Sequence, residues 1–281
     1  MGREDNPVNT LQCGSKSLTL DRPRVMGILN VTPDSFSDGG QFYHRDDAMA
    51  QVETMIAAGA DIIDVGGEST RPGALDVDEQ SEIERVAPII EAIVERFDII
   101  VSIDTSKAAV IRAAVAAGAA MVNDVRALSE PGAVDVAAST GLPVCLMHMK
   151  GQPRSMQHSP CYDDVVLEVT EFLLQRREVC MRAGIPGEQI VLDPGFGFGK
   201  TLEHNLAIAS NLQQLCKEAP VMIGLSRKRM LGAILSDEST DRTTASVTAA
   251  LLCVQRGASI VRVHDVEPTV HALAVYAAFS K

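Results

Sequence analysis

Two pairs of polar residues stand two positions apart late in the chain. They are Ser226 and Lys228 in G-L-S-R-K (224–228), and Arg262 and His264 in R-V-H-D-V (262–266). Side chains on an extended strand alternate between faces, so Arg262 and His264 share one side while Val261 and Val263 share the other. If the preceding strand runs on to Lys228, the same period joins Ser226 to Lys228. Four hydrogen-bond donors then converge, in a chain whose 25 Lys and Arg against 37 Asp and Glu give a net charge of −12. A local group of cationic donors in an acidic chain points to an anionic ligand. Structural ion pairing is the competing explanation.

Other apolar runs also end in polar residues: Asn30, Asp64, Asp104, Asn123, His148 and Asp193. Asp64 and Asp124 fit a structural reading, as turn residues or helix caps, as well as they fit a functional one. Two loops are long, polar and rich in Gly: N-V-T-P-D-S-F-S-D-G-G (30–40) and G-G-E-S-T-R-P-G (66–73). They place Asp34 and Arg71 where a scaffold needs no charge for stability. The stretch G-F-G-F-G-K-T (195–201) imitates a phosphate-binding loop, but Pro194 occupies the position where a Walker A motif requires Gly. Phe196 and Phe198 then read as packing residues. His44, His158, His204 and His271 lack partners at ligand spacing and read as surface residues. His148, between Met147 and Met149, suits a pocket wall or a structural role equally.

The elements that must position these side chains follow from apolar patterning. Gly59, Gly118 and Gly257 each stop a helical pattern just before a short apolar strand. Strands are predicted at 25–30, 61–65, 99–104, 120–124, 143–148, 189–193, 221–226 and 259–264. Between the first two lies a helix with Ala48, Val52, Met55 and Ile56 on one stripe and Asp46 and Asp47 at its start. Ser81 and Glu84 form an S-x-x-E capping box for another, with Pro88 inside the pattern. Eight strand–helix units of roughly 35 residues predict a single-domain (β/α)8 TIM barrel over residues 1–281. No G-x-G-x-x-G follows the first strand, which counts against a doubly wound sheet. Residues 1–24 form an N-terminal extension and a hairpin, with Leu11, Leu18 and Leu20, closing the barrel's bottom. In such a barrel the strand ends above are the active-site face.

Composition fits a globular chain with a large core: 281 residues, 46% hydrophobic and 22% charged. It carries no Lys/Arg-rich run, only 4% aromatic residues and no Trp, which speaks against nucleic acid or an anionic membrane surface as partner. Its six cysteines are scattered without metal-ligand spacing, as reduced thiols would be. Arg3, Glu4 and Asp5 stand where a signal peptide needs an apolar stretch, and no run of about eighteen apolar residues occurs. A cytoplasmic protein is expected.

Taken together, the two long loops, S-I-D-T-S-K (102–107), L-D-P-G-F-G-F-G-K (192–200), G-L-S-R-K and R-V-H-D-V closely resemble the dihydropteroate synthase family in its bacterial form, from about Val25 to the C-terminus. The resemblance implies condensation of 6-hydroxymethyl-7,8-dihydropterin diphosphate with p-aminobenzoate to give 7,8-dihydropteroate and diphosphate. It implies catalytic roles for Asp104, Lys228, Thr70 and Arg71. Asp104, Asn123, Asp193 and Lys228 match its pterin-binding positions. Asn30, Thr70, Arg71, Arg262 and His264 match its diphosphate site, and Asn30 the position of Mg²⁺. Arg71, Pro72, Phe198, Ser226 and Lys228 match the p-aminobenzoate pocket. It also implies sulfonamides as competitors and a homodimer, to which the apolar stretch 271–279 contributes. The alternatives are a pterin-binding methyltransferase, which needs no diphosphate clamp, and a non-catalytic pterin-binding paralogue.

Overall fold

The described residues of the computed structural model are 10–32, 41–69, 76–151, 160–237 and 239–280, with backbone alone for 41–44. Eight parallel strands form a nearly closed barrel: β3 (Arg24–Asn30), β4 (Ile62–Gly66), β5 (Ile100–Asp104), β6 (Met121–Asp124), β7 (Val144–Met147), β8 (Ile190–Asp193), β9 (Met222–Ile223) and β10 (Ile260–Val263). β1 (Thr10–Cys13) and β2 (Lys16–Thr19) precede them as an antiparallel hairpin. Helices alternate with the strands: α1 (Gln41–Ala57), α2 (Glu79–Arg96), α3 (Ala108–Ala116), α4 (Ala133–Thr140), α5 (Val165–Arg182) and α6 (Leu202–Leu215). Two helices, α7 (Arg229–Leu235) and α8 (Thr243–Gln255), lie between β9 and β10, and α9 (Val266–Phe279) follows β10. Hydrogen-bonded pairing runs continuously from β8 round to β9. The remaining seam closes by a single bridge, Leu192 to Val221.

Strand alternation divides the interior into layers. Each barrel strand contributes one residue to an apolar bottom layer: Met26, Ile62, Ile100, Met121, Cys145, Val191, Met222 and Ile260. Leu11, Cys13 and Leu18 of the hairpin close this layer from below, as the sequence predicts. Gln189 fastens the hairpin by accepting from Gln12 N at 2.7 Å and donating to Thr10 O at 3.1 Å. Two residues further up, the inward positions become Asp64, Ser102, Asn123, Asp193 and Arg262. The alternate residues, such as Val25, Ile63, Val101, Val122 and Val261, face the helices in the main core.

Three local expectations are corrected. The strand 221–226 is only two residues long, because the chain turns at Ser226 and Arg227. Arg227 has φ +57°, and Lys228 N-caps α7, so Ser226 and Lys228 do not share a strand face. The cap of α2 is Asp78, whose carboxylate accepts from Ser81 N at 2.9 Å; Ser81 lies inside the helix. An Asp three residues upstream outcompetes the Ser hydroxyl because an ionised acceptor binds the end N–H groups more strongly. Finally, α1 begins at Gln41, ahead of Asp46 and Asp47. Pro88 sits mid-helix in α2 without ending it.

Candidate active site

Asp64, wholly buried in β4, is the floor of the site. Its Oδ2 accepts Arg262 Nε at 2.6 Å and Asn123 Nδ2 at 3.0 Å. Arg262 also donates Nη2 to Asp104 Oδ2 at 2.7 Å, linking β10 to β4 and β5. Of the donors expected to form a cationic cluster, Arg262 is therefore paired with two carboxylates. A guanidinium inside a barrel loses too much hydration to stay unpaired. Burial works against the Arg262 charge, but Asp64 and Asp104 outweigh it and hold the group above its ordinary value. Burial pushes the Asp104 carboxyl up to about 7, with Arg262 opposing. Among the described residues, Asp64 Oδ1 and Ser102 Oγ are buried without a hydrogen-bond partner. Buried polar atoms rarely stay so unless a ligand or water serves them.

The β8 end adds Asp193, whose Oδ1 accepts from Gly195 N at 2.7 Å. Burial raises its carboxyl to about 6. Facing it across the seam, Lys228 holds its ammonium 3.9 Å above the Phe198 ring. Burial, then the charge of Arg262, lowers the Lys228 amine to about 8. Phe198 is thus a partner of Lys228 as well as a packing residue against Val125 and Met147. Ser226 Oγ accepts from His264 N at 3.1 Å and lies 3.0 Å from its Nδ1, so this pair meets although the strand pairing does not. Asn30 ends β3 beside Asp104: a Cβ on Gly66 would stand 3.8 Å from Asn30 Oδ1 and 3.7 Å from Asp104 Oδ2.

At the rim, Lys107 binds Glu68 Oε2 at 2.6 Å and the buried Glu82 at 2.5 Å, and Glu68 Oε1 accepts from Val77 N at 3.1 Å. None of these is singled out by the sequence reading. Asp124 is a turn residue, as its structural reading has it: it accepts from Ser106 Oγ and from the N–H groups of Arg126 and Leu128. Asp64 is not. His204 is also no bare surface residue, since its Nδ1 accepts from Thr201 N in a capping box on α6. Asp34, Thr70, Arg71, Pro72 and His158 lie outside the described residues, as does the side chain of His44.

A family model described as pterin binding enzyme matches residues 26–264. The dihydropteroate synthase of Escherichia coli is 51% identical over 260 residues, covering 92% of this chain and 92% of its own. This chain belongs to the dihydropteroate synthase family. A crystal structure of the Yersinia pestis family member with a sulfonamide drug complex superposes with a TM-score of 0.91 at 51% identity, covering 96% of this chain and 99% of that one. The Xanthomonas albilineans enzyme in complex with 7,8-dihydropteroate gives 0.88 at 46% identity, covering 96% and 98%. The apolar floor and the polar layer above it are the dihydropteroate synthase barrel as this sequence builds it.

Proposed function

We propose that this chain is a folate-pathway transferase that joins 6-hydroxymethyl-7,8-dihydropterin diphosphate to p-aminobenzoate. The bond between the pterin methylene carbon and the diphosphate oxygen breaks. The arylamine nitrogen then bonds to that carbon and loses a proton, giving 7,8-dihydropteroate and diphosphate. The observation that carries this reading is the inward polar layer, Asp64, Asn123, Asp104, Asp193 and Arg262, with Asp64 Oδ1 and Ser102 Oγ left unpartnered among the described residues. A pterin edge of amide and amine groups meets such a set of acceptors and amides.

Asp104, Asn123, Asp193 and Lys228 read the pterin in this proposal, and the Asp104 carboxylate offsets the positive charge that develops on the ring as diphosphate departs. Arg262 and His264 hold the diphosphate together with Thr70 and Arg71. Ser226, Phe198 and Lys228, with Arg71 and Pro72, form the p-aminobenzoate wall. The nucleophile needs positioning more than activation. Asn30 presents an amide oxygen to a space that Gly66 keeps clear by lacking a Cβ, which suits a hard cation such as Mg²⁺. When bound there, Mg²⁺ supplies charge neutralisation for the leaving diphosphate.

Sulfonamides compete for the p-aminobenzoate wall. The chain works as a homodimer in the cytoplasm, with the exposed Val275 and Phe279 of α9, the latter 88% exposed, contributing to the contact. The described helices include none long and apolar enough to cross a membrane. A turnover assay with both substrates, with and without Mg²⁺, tests the reaction; no dihydropteroate under either condition refutes it.

A further inference from the structure

The G-F-G-F-G-K stretch, set aside as a nucleotide loop, ends in a lysine with an unusual environment. Lys200 is 3% exposed, and among the described residues its Nζ contacts no carboxylate. Its neighbours are acceptors of other kinds: Gly195 O at 2.8 Å, His148 Nδ1 at 2.9 Å, Phe198 O at 3.0 Å and His148 O at 3.3 Å. Three short acceptors match the three N–H groups of an ammonium. The amine ties both ends of the turn from Gly195 to Phe198, whose own closing bond is Phe198 N to Gly195 O at 3.1 Å. Asn205 Oδ1 accepts from Gly197 N at 2.8 Å, and Tyr162 donates its hydroxyl to Gly199 O at 2.8 Å. The outer face of this turn supports Lys228. The Phe198 ring lies under its ammonium, and a Cβ on Gly197 would come within 3.4 Å of its Cδ.

We propose that Lys200, with His148 as its ring acceptor, is a positioning residue for the second substrate: it fixes the Gly195–Phe198 turn, which in turn seats Lys228 against the p-aminobenzoate wall. This rests on the reading of that wall given above. Lys200 reaches the site through this turn, by way of Phe198 and Gly197 beneath Lys228 and of Gly195, whose N–H donates to Asp193 Oδ1. Asp104, Asn123 and Asp193 themselves stand on the strands β5, β6 and β8. Burial, followed by the charge of Lys200, keeps His148 unprotonated, with its imidazole lowered to about 3. Burial lowers Lys200 itself to about 7, with Asp193 opposing and Lys228 adding to the effect. Lys150 faces His148 from the following loop. The edge-on Phe172 ring, 5.0 Å from the imidazole, completes the packing.

The test pairs steady-state kinetics with amide hydrogen exchange on Lys200→Met, with Lys200→Gln as a milder variant that keeps two N–H donors. The expected result is a KM for p-aminobenzoate raised about tenfold or more, the size of losing charge-assisted hydrogen bonds. The KM for the pterin diphosphate should change less, because Asp104, Asn123 and Asp193 on their strands keep hold of the pterin when Lys228 shifts. Exchange should accelerate at the 195–200 amides and not in β5 or β6, and Lys200→Gln should restore part of both effects. Parallel rises in the two KM values, unchanged exchange at 195–200, or a lowered thermal midpoint with unchanged kinetics overturns the proposal. If Lys200→Met does not fold, the same readouts on Lys200→Gln decide it. A wild-type enzyme that makes no dihydropteroate refutes the underlying reading instead, a result separate from any of these.

Discussion

Asp64 and Arg262 lie 198 positions apart, yet Asp64 Oδ2 accepts the Arg262 Nε–H at 2.6 Å in the middle of the barrel. The pair joins strands on either side of β3, and each member offsets much of the other's loss of hydration. Breaking such a pair from one side leaves a charge without compensation, at about 3–5 kcal/mol. Asp64→Ala and Arg262→Ala should each lose stability of that order in denaturant unfolding, and the double variant should lose clearly less than the sum. Additive losses would mean that the two side chains act independently.

Asp104→Asn preserves size and replaces one carboxylate oxygen with an amide donor. Because burial already disfavours the carboxylate, and the amide oxygen of Asn can still accept from Arg262 Nη2 while Asp64 keeps the charge paired, the thermal midpoint should change little. Turnover should fall by about two orders of magnitude or more, the scale of a lost electrostatic contact at a developing charge. Full activity, or an unfolded variant, contradicts the assigned role.

The Gly195 backbone has φ +66°, and a Cβ there would lie 1.9 Å from His148 O. Gly141 has almost the same φ, +67°, with nothing within 4 Å of a Cβ. Gly141→Ala should therefore cost only the left-handed strain, about 1–2 kcal/mol. Gly195→Ala should cost distinctly more and weaken activity, since the obstructing atom is backbone. Equal losses in urea unfolding would contradict this close approach.

His148 also gives a pH signature. Its folded imidazole takes a proton only near pH 3, while the unfolded chain takes it up below 6.5. The unfolded state thus binds more protons between these values, so stability is complete above pH 6.5 and is lost as the pH falls towards 3. The slope approaches about 1.4 kcal/mol per pH unit. Between pH 7 and pH 5 the wild type should lose about 2 kcal/mol more than His148→Gln. Unfolding curves that shift in parallel over this range would show that His148 titrates normally.

Most of the barrel was legible because its strands are nearly continuous apolar runs, each ended by a polar residue and preceded by a helix stopped at Gly. The hairpin plug was legible from Leu11, Leu18 and their alternation with polar neighbours. Boundaries set by competition were not. Nothing local in G-L-S-R-K says that Arg227 takes a left-handed conformation and ends the strand, and Asp78 and Ser81 both satisfy a cap pattern. Asp104, Asn123 and Asp193 could be chosen from the sequence because each stands where an apolar run ends, and Arg262 because it alternates with valines two positions before His264. Asp64 does as well, but its partners arrive from β6 and β10, and so remote a pairing leaves no local signal. Lys200 was hidden for the same reason: its acceptors are main-chain carbonyls and a histidine 52 positions away.

The barrel's one thin seam, the Leu192–Val221 bridge beside the two-residue β9, runs directly under the site. Asp193 stands on one side of it and Lys228 on the other. A ligand gripped by both would act as a cross-stitch, joining edges that the backbone itself barely ties together. Occupancy should then protect the β8 and β9 amides from exchange more than those of β4 or β5, and should raise the temperature at which the barrel first opens. The substrate would be, while it stays, the missing rung of the sheet.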